Sequence, residues 1–480
     1  MTTPETDPIL DAIQRFRAEE KWLWTLITDP TGSRYFEVKS KATRLQEFKE
    51  QIERMALFLD FVGNPEGQYS SIHVAGTSGK GSVVYLLAEM LSSAGQRVGY
   101  HVSPYLQVCN EKLIVDRQLI PPSEFVTLVE ELRADYGRWQ AAGGKYATIK
   151  YGEAWVALTF IWMAKQKVDW AVIETGLGGR YDPTNVVPAK LAVITNVDYD
   201  HVEVLGETLP EIAAHKAGII KPGGLAITAE RKPEALAVIR GEAAAKGARL
   251  YVLGEDFNFK ISETAGEQAL TVEGVNHTYR DLRVAMRGKF QLENAALAVA
   301  SLDLLSGEDE LELTEESVRA GLGSVRYGGR LEVMQQQPLV ILDGAHNHHK
   351  ALTLVESLEE LYPGKKMTVV LGTLSIKDFG GIIEALHPIT AKWIATQPKV
   401  FGKPSASPEQ LAGAILKVDS QAEVLEADDV LGGLRAALDA AGPDEIILVT
   451  GSLYMIGDAR GYWFPTEQLL YDLEKQANLT

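Results

Sequence analysis

The run Gly76-Thr77-Ser78-Gly79-Lys80-Gly81-Ser82 follows the apolar stretch Ile72-His73-Val74-Ala75 and precedes an apolar-periodic segment that closes at Gly95. Glycines let successive backbone N–H groups curl around phosphate oxygens, a helix starting here adds partial positive charge, and Lys80 reaches the outer phosphates. Ser82 can present its hydroxyl to Mg²⁺. The spacing is a variant of the common phosphate loop: two residues separate Gly76 from Gly79, and Gly81 intervenes between Lys80 and Ser82. A Gly-rich turn that binds nothing is the plain alternative, but Lys and Ser so placed after a strand favour a nucleotide, ATP with Mg²⁺.

Carboxylates recur where such a site would need them. Asp169-Trp170-Ala171-Val172-Ile173-Glu174 ends in an acid beside the turn Thr175-Gly176-Leu177-Gly178-Gly179-Arg180. Mg²⁺ takes a few protein oxygens and fills its shell with water or substrate oxygens, so Glu174 is a candidate ligand. A further apolar run leads into Asn196-Val197-Asp198-Tyr199-Asp200-His201, three metal-capable side chains just past a strand end. Thr208-Leu209-Pro210-Glu211 has the form of a capping box with proline in the first turn. The helix it opens ends at His215-Lys216-Ala217-Gly218, where Lys216 standing alone would be a cation favoured by the helix dipole.

The elements that must hold these residues are of the α/β kind. Residues 1–60 have helical spacing, with Phe48, Ile52, Met55 and Leu59 on one face. Short apolar runs then alternate with amphipathic segments, predicting parallel strands at Ile72–Ala75, Val98–Val102, Trp170–Glu174, Leu191–Thr195 and Leu225–Thr228. Phe257–Met286 is turn-rich and alternating, the pattern of a small antiparallel region, and a helix is expected at Leu292–Leu305. Strands at Leu339–Leu342, Met367–Leu371, Trp393–Thr396 and Ile446–Thr450 predict a second α/β unit. The expected fold is therefore a P-loop-type, mostly parallel sheet ATPase domain with a helical N-terminal segment (1–326), followed by a smaller Rossmann-like α/β domain (327–480). Ligands in such sheets bind beyond the carboxyl ends of the strands, which is where the candidate residues fall.

Composition sets the outer limits. A chain of 480 residues exceeds one ordinary core. The net charge of −18 argues against nucleic acid or an anionic membrane surface as partner, while leaving room for a local cationic site. The longest apolar stretch, Trp155–Ala164, is too short for a bilayer and reads as a buried helix. A single cysteine, Cys109, and a polar, acidic start without a signal-peptide pattern point to the cytoplasm.

Taken together and in this order, several motifs resemble those of the Mur ligase superfamily, and within it the dihydrofolate synthase/folylpolyglutamate synthase family. They are His73–Ser82, Ser103-Pro104, Gly176–Arg180, Asp200-His201, Lys216-Ala217-Gly218-Ile219, Gly329-Arg330, Asp343-Gly344-Ala345-His346-Asn347 and Thr450-Gly451-Ser452-Leu453-Tyr454. The resemblance implies an ATP- and Mg²⁺-dependent ligase that activates a carboxylate as an acyl phosphate and couples it to L-glutamate, the acceptor being a folate or dihydropteroate. It implies that Gly76, Thr77, Ser78, Gly79, Lys80, Gly81 and Ser82 hold the ATP phosphates. Ser82, Ser103 and Glu174 would surround one Mg²⁺, and His201 with Glu174 would serve a second metal, helped by Lys216 when carbamylated. Asn294, Arg330 and Asp343 would reach the nucleotide. His346 would lie near the acyl phosphate and the incoming glutamate, so that Lys80, Lys216 and His346 form the catalytic set. The family pattern also points to a monomer, with residues 327–480 as the glutamate-ligase domain.

The sequence departs from the family at Ser78 (usually Asn), Tyr105 (usually His), Gly328 (usually Pro), Phe290 (usually His) and the acidic Asp198-Tyr199-Asp200. These changes touch acceptor-facing and connecting positions while the metal and ATP residues are kept. Two other readings stand beside the folate ligase: a Mur-type ligase for a different carboxylate, distinguished by which acceptor stimulates ADP release, and a nucleotide-dependent binding protein without ligase activity. The latter would have no need of Glu174, His201, Lys216 and His346.

Overall fold

The computed structural model describes residues 7–31, 39–264, 267–308 and 310–479. Its largest sheet holds β1 (Ser70–Ala75), β2 (Val98–His101), β3 (Ile114–Val115), β4 (Gln118–Leu119), β5 (Trp170–Glu174), β6 (Leu191–Ile194), β7 (Leu225–Thr228) and β8 (Arg249–Val252), in the order β4-β3-β2-β5-β1-β6-β7-β8. All neighbours pair in parallel except β3, which is antiparallel to β2 and to β4.

Strands buried on both faces read as continuous apolar runs, which explains why Ile72, Val74, Val172 and Val193 pack against one layer while Ala171 and Ile173 pack against another. The first layer includes the helices Lys80–Ser93 and Lys289–Gly307. The second includes Tyr151–Lys165, apolar nearly all round, with Trp155, Leu158 and Phe160 buried. Each such side chain contributes about 1.5–3 kcal/mol on burial.

The chain leaves β1 for β2 on one side and returns to β6 on the other, so the carboxyl end of β1 is a topological switch point, where doubly wound sheets leave a crevice. Register brings the neighbouring ends level: Val74 pairs with Glu174 and Ala75 with Ile194.

The alternating region forms an antiparallel sheet of β9 (Asn258–Thr264), β10 (Glu267–Glu273) and β11 (Thr278–Leu282). The third sheet contains β12 (Glu332–Gln336), β13 (Leu339–Leu342), β14 (Met367–Leu371), β15 (Thr390–Ala395), β16 (Val424–Glu426) and β17 (Ile446–Thr450), in the order β12-β13-β17-β14-β15-β16. Only β12 is antiparallel to its neighbour.

The chain crosses between the two α/β units twice. Residues 325–331 lead from the helix Glu315–Ser324 to β12. After the helix Leu453–Arg460 the chain returns, and the helix Thr466–Ala477, inside the stretch expected to form the second domain, packs on the first unit. Its Leu470 is fully buried in that unit's core, and its buried Glu474 accepts the Ser123 N–H at 2.9 Å at the start of the helix Pro122–Ala141.

Candidate active site

A cavity of about 320 Å³ opens where the carboxyl ends of the two sheets face each other. One wall is the loop 76–79 between β1 and the helix Lys80–Ser93, capped by Gly79 in the left-handed region (φ 81°). The loop is fastened to the end of β6. Thr195 Oγ1 donates to Ser78 O at 2.6 Å, the Ser78 N–H donates to Asn196 Oδ1 at 2.9 Å, and the Asp198 N–H donates to Thr77 Oγ1 at 2.9 Å. A Cβ at Gly79 would collide with the Asn294 amide, and one at Gly81 with the Tyr327 hydroxyl. These glycines therefore let the loop lie against the helix Lys289–Gly307 and the connecting segment at once.

Lys80 Nζ lies 3.2 Å from Gly76 O and 3.8 Å from Glu174 Oε1, while Glu174 Oε2 accepts the Ser103 N–H at 3.1 Å. Burial raises the Glu174 carboxyl above its usual range, with Lys80 and the Ser103 N–H opposing it. Lys216, in the last turn of the helix Leu209–Ala217, is buried rather than solvated, which removes the simple dipole explanation for it. Burial, then Lys80, pushes its ammonium well below the ordinary lysine value.

The opposite wall comes from the second unit. Asp343, directly after β13, accepts the Leu331 N–H at 3.0 Å and the Ala345 N–H at 2.9 Å. Burial raises its carboxyl, opposed by Arg330. Arg330 lies over the Tyr327 ring at 5.1 Å, and Tyr327 stacks on Tyr85 at 4.3 Å. His346 Nδ1 is 2.8 Å from Gly344 O, and Lys350 Nζ is 3.0 Å from His346 Nε2.

Every residue to which the family resemblance gives a role thus lines this one cavity: the loop Gly76–Ser82, Ser103, Glu174, His201, Lys216, Asn294, Arg330, Asp343 and His346; Asp198 does not. The acidic strand end behaves differently from a metal cluster. Asp200 lies 3.6 Å from Lys350 Nζ and 3.3 Å from Lys377 Nζ, and Asp198 lies 3.7 Å from Lys232 Nζ and 3.5 Å from His349 Nε2. His201 faces Asp200 and Glu203, at 3.9 and 3.6 Å. Among the described residues no three His, Cys, Asp or Glu side chains cluster for a metal. The donor set that does suit Mg²⁺ is sparse and oxygen-based: the Glu174 carboxylate with the Ser82 and Ser103 hydroxyls, leaving most positions for phosphate and water. Ser78 Oγ, on the lining loop, is buried without a protein partner, as a polar atom awaiting a polar ligand would be. Lys350, Lys377 and Tyr327 were not picked out from the sequence; the spacing of Lys350 four residues after His346 at a helix start was its only local signal.

A second cavity, about 850 Å³, shares Ser103 and Pro104 with the first. Trp24, Tyr105, Tyr151, Phe401 and Tyr454 give it aromatic walls, with Lys112 among its cations. Trp24 and Phe401 stack at 5.6 Å across the two units.

The Mur ligase middle domain family matches residues 126–302, and the Mur ligase glutamate ligase domain matches 329–453. A Bacillus subtilis protein named dihydrofolate synthase/folylpolyglutamate synthase is 34% identical over 427 residues, covering 86% of this chain and 94% of its own. The chain belongs to the dihydrofolate synthase/folylpolyglutamate synthase family. A folylpolyglutamate synthase of Lacticaseibacillus casei in the same family is 33% identical over 409 residues, covering 85% of this chain and 93% of its own. The solved Mycobacterium tuberculosis folylpolyglutamate synthase, complexed with ADP and AMPPCP, superposes with a TM-score of 0.82 at 30% identity over 95% of this chain and 99% of its own. The family's two-sheet α/β architecture is therefore this chain's fold. Among the described residues no helix is long and apolar enough to cross a membrane.

Proposed function

We propose that the chain is an ATP-dependent ligase that adds L-glutamate to a folate, to dihydropteroate, or to both, through an acyl phosphate, releasing ADP and phosphate. The observation that carries this reading is the facing of two chemistries across one cavity: a phosphate loop with Lys80 and Glu174 on one wall, Asp343 and His346 on the other. Family membership supports the same assignment.

In this reading the loop N–H groups and Lys80 bind the ATP phosphates, and Asn294, Arg330 and Asp343 hold the rest of the nucleotide. Glu174, Ser82 and Ser103 hold Mg²⁺, which when bound neutralises charge on the phosphoryl group. Lys216, as a carbamate, and His201 would serve a second ion. The buried, readily deprotonated Lys216 amine has the nucleophilic form that carbamylation requires. The acceptor's aromatic body fits the larger cavity, whose shared Ser103-Pro104 edge lets its carboxylate reach the nucleotide.

A carboxylate oxygen attacks the terminal phosphorus and ADP leaves. The glutamate amine then attacks the acyl carbon beside His346, and phosphate leaves with the C–O electron pair. Holding both substrates between the two units lowers the entropic barrier and keeps water from the acyl phosphate. The one cysteine, Cys109, is buried and its thiol is pushed up by burial, in keeping with a reducing, cytoplasmic setting. In this reading the chain acts as a monomer, the state to which the family pattern points.

The test is phosphate release from Mg·ATP with L-glutamate, comparing dihydropteroate, tetrahydrofolate and no acceptor, with products weighed by mass spectrometry. A glutamate-sized gain on either pterin is expected. ATP binding without any gain would refute the folate assignment.

A further inference from the structure

Asp200 and Lys350 lie 3.6 Å apart across the boundary between the two units, and Lys350 also touches His346. We propose that Lys350 is a positioning residue for glutamate transfer: bridging His346 in its own unit and Asp200 in the other, its ammonium fixes the imidazole as the neutral Nδ1–H tautomer, with the Nε2 lone pair held on the ammonium until that moves towards Asp200. The inference deepens the ligase reading above and rests on it.

The tautomer follows from the partners. Gly344 O is a carbonyl and only accepts, so the Nδ1 that lies 2.8 Å from it carries the hydrogen. Nε2 of a neutral ring is then the acceptor for Lys350 Nζ at 3.0 Å. Lys350 sits in the first turn of the helix His348–Leu361, its N–H donating to the cap residue Asn347, and His346 immediately precedes that cap, so the loop-to-helix junction sets this approach. Its other contact crosses the boundary to Asp200, which Lys377 also faces at 3.3 Å from the loop before the helix Phe379–Leu386. Separating the units would remove Asp200 from Lys350, so the orientation of His346 is completed by closure.

Charge agrees with geometry. Burial, then Lys350 and Lys377, holds His346 well below the ordinary histidine value, with Asp200 and Gly344 O opposing. Burial pushes Lys350 down to about 8, assisted by Lys80, Lys377 and Arg330 and opposed by Asp200. Glutamate arrives as an ammonium and must lose a proton before its nitrogen can attack. Nε2 takes that proton, giving an imidazolium, as the Lys350 ammonium falls back towards Asp200. The nitrogen forms the new C–N bond, the C–O bond to phosphate breaks, and the second nitrogen proton leaves with phosphate.

The experiment pairs a direct and a kinetic readout on the full chain. Long-range proton–nitrogen NMR of histidine-labelled protein, with the His346 signal assigned, should show the Nδ1–H tautomer in the wild type. A mixed or Nε2–H ring would overturn the proposal without any variant being needed. The acid limb of kcat/KM for L-glutamate against pH should move up by roughly one pH unit in Lys350→Met, because a charge that depresses His346 is gone, and should return towards wild type in Lys350→Arg. An unmoved limb in Lys350→Met would overturn the role. A wild type that makes no amide would instead remove the ligase reading, and the NMR spectrum would still decide the tautomer.

Discussion

Lys80, opening the helix that follows β1, and Glu174, ending the adjacent strand β5, face each other at 3.8 Å, a cation and an anion held at the place where a phosphate and a metal must be held together. Glu174 is buried and Lys80 half-buried, so the carboxylate depends on the lysine, and on ligand, for compensation.

Replacing Glu174 by Gln should reduce turnover by about a hundredfold or more, since a charge at the reacting phosphate is lost. Stability should move the other way. The folded carboxyl titrates above its usual value, so the folded state binds more protons between the ordinary and the raised pKa and loses stability as pH rises through that window. At neutral pH the ligand-free variant should therefore melt at or above the wild-type temperature, and its stabilisation by Mg·ATP should be smaller. Differential scanning fluorimetry with and without Mg·ATP checks both.

Lys216→Ala should abolish amide formation while leaving much of the nucleotide binding. For stability the sign is set by a folded lysine value well below the ordinary one. Between the two values the unfolded chain binds the extra proton, so native stability rises with pH there. Lys216→Met should consequently favour stability at neutral pH and lose that advantage as pH approaches the ordinary lysine range. Thermal melts across pH, beside an ADP-binding titration, measure this; retained turnover would remove Lys216 from the mechanism.

Gly457 lies in the helix Leu453–Arg460 of the second unit, where a Cβ would run into Leu106 O of the first. Gly457→Ala should push the units apart by a fraction of an ångström to an ångström and lower turnover by roughly ten- to a hundredfold. The residue is not among those lining the nucleotide cavity, so ADP affinity should change little. Unchanged kinetics would mean that the contact is not part of the productive arrangement.

Leu470→Ala, in the returning C-terminal helix, should cost about 2–5 kcal/mol through lost burial and a cavity. Because Leu470 belongs to the core of the first unit, urea titration followed by tryptophans of that core, such as Trp155, should report the loss.

Much of the scaffold was legible because it follows local pattern. Trp170–Glu174 and Leu225–Thr228 are strands over the residues that their apolar runs marked, and Thr208 with Glu211 forms the capping box that their spacing predicts. The two-residue strands β3 and β4 carry too little sequence to set a period, and β8 is only partly buried. The phosphate loop and Glu174 announce themselves because nucleotide chemistry demands particular residues beside a strand end. Lys377 meets Asp200 across 177 residues of chain, and neither carries a local sign of the other. That is why the acidic stretch at 198–200 reads as metal-capable in sequence and emerges in ion pairs, three of which cross the boundary.

The return of the helix Thr466–Ala477 bears on the order in which the molecule is made. During synthesis the first unit emerges long before Leu470 and Glu474, so the core that Leu470 joins and the start of the helix Pro122–Ala141 wait, incompletely covered, while the whole second unit is translated.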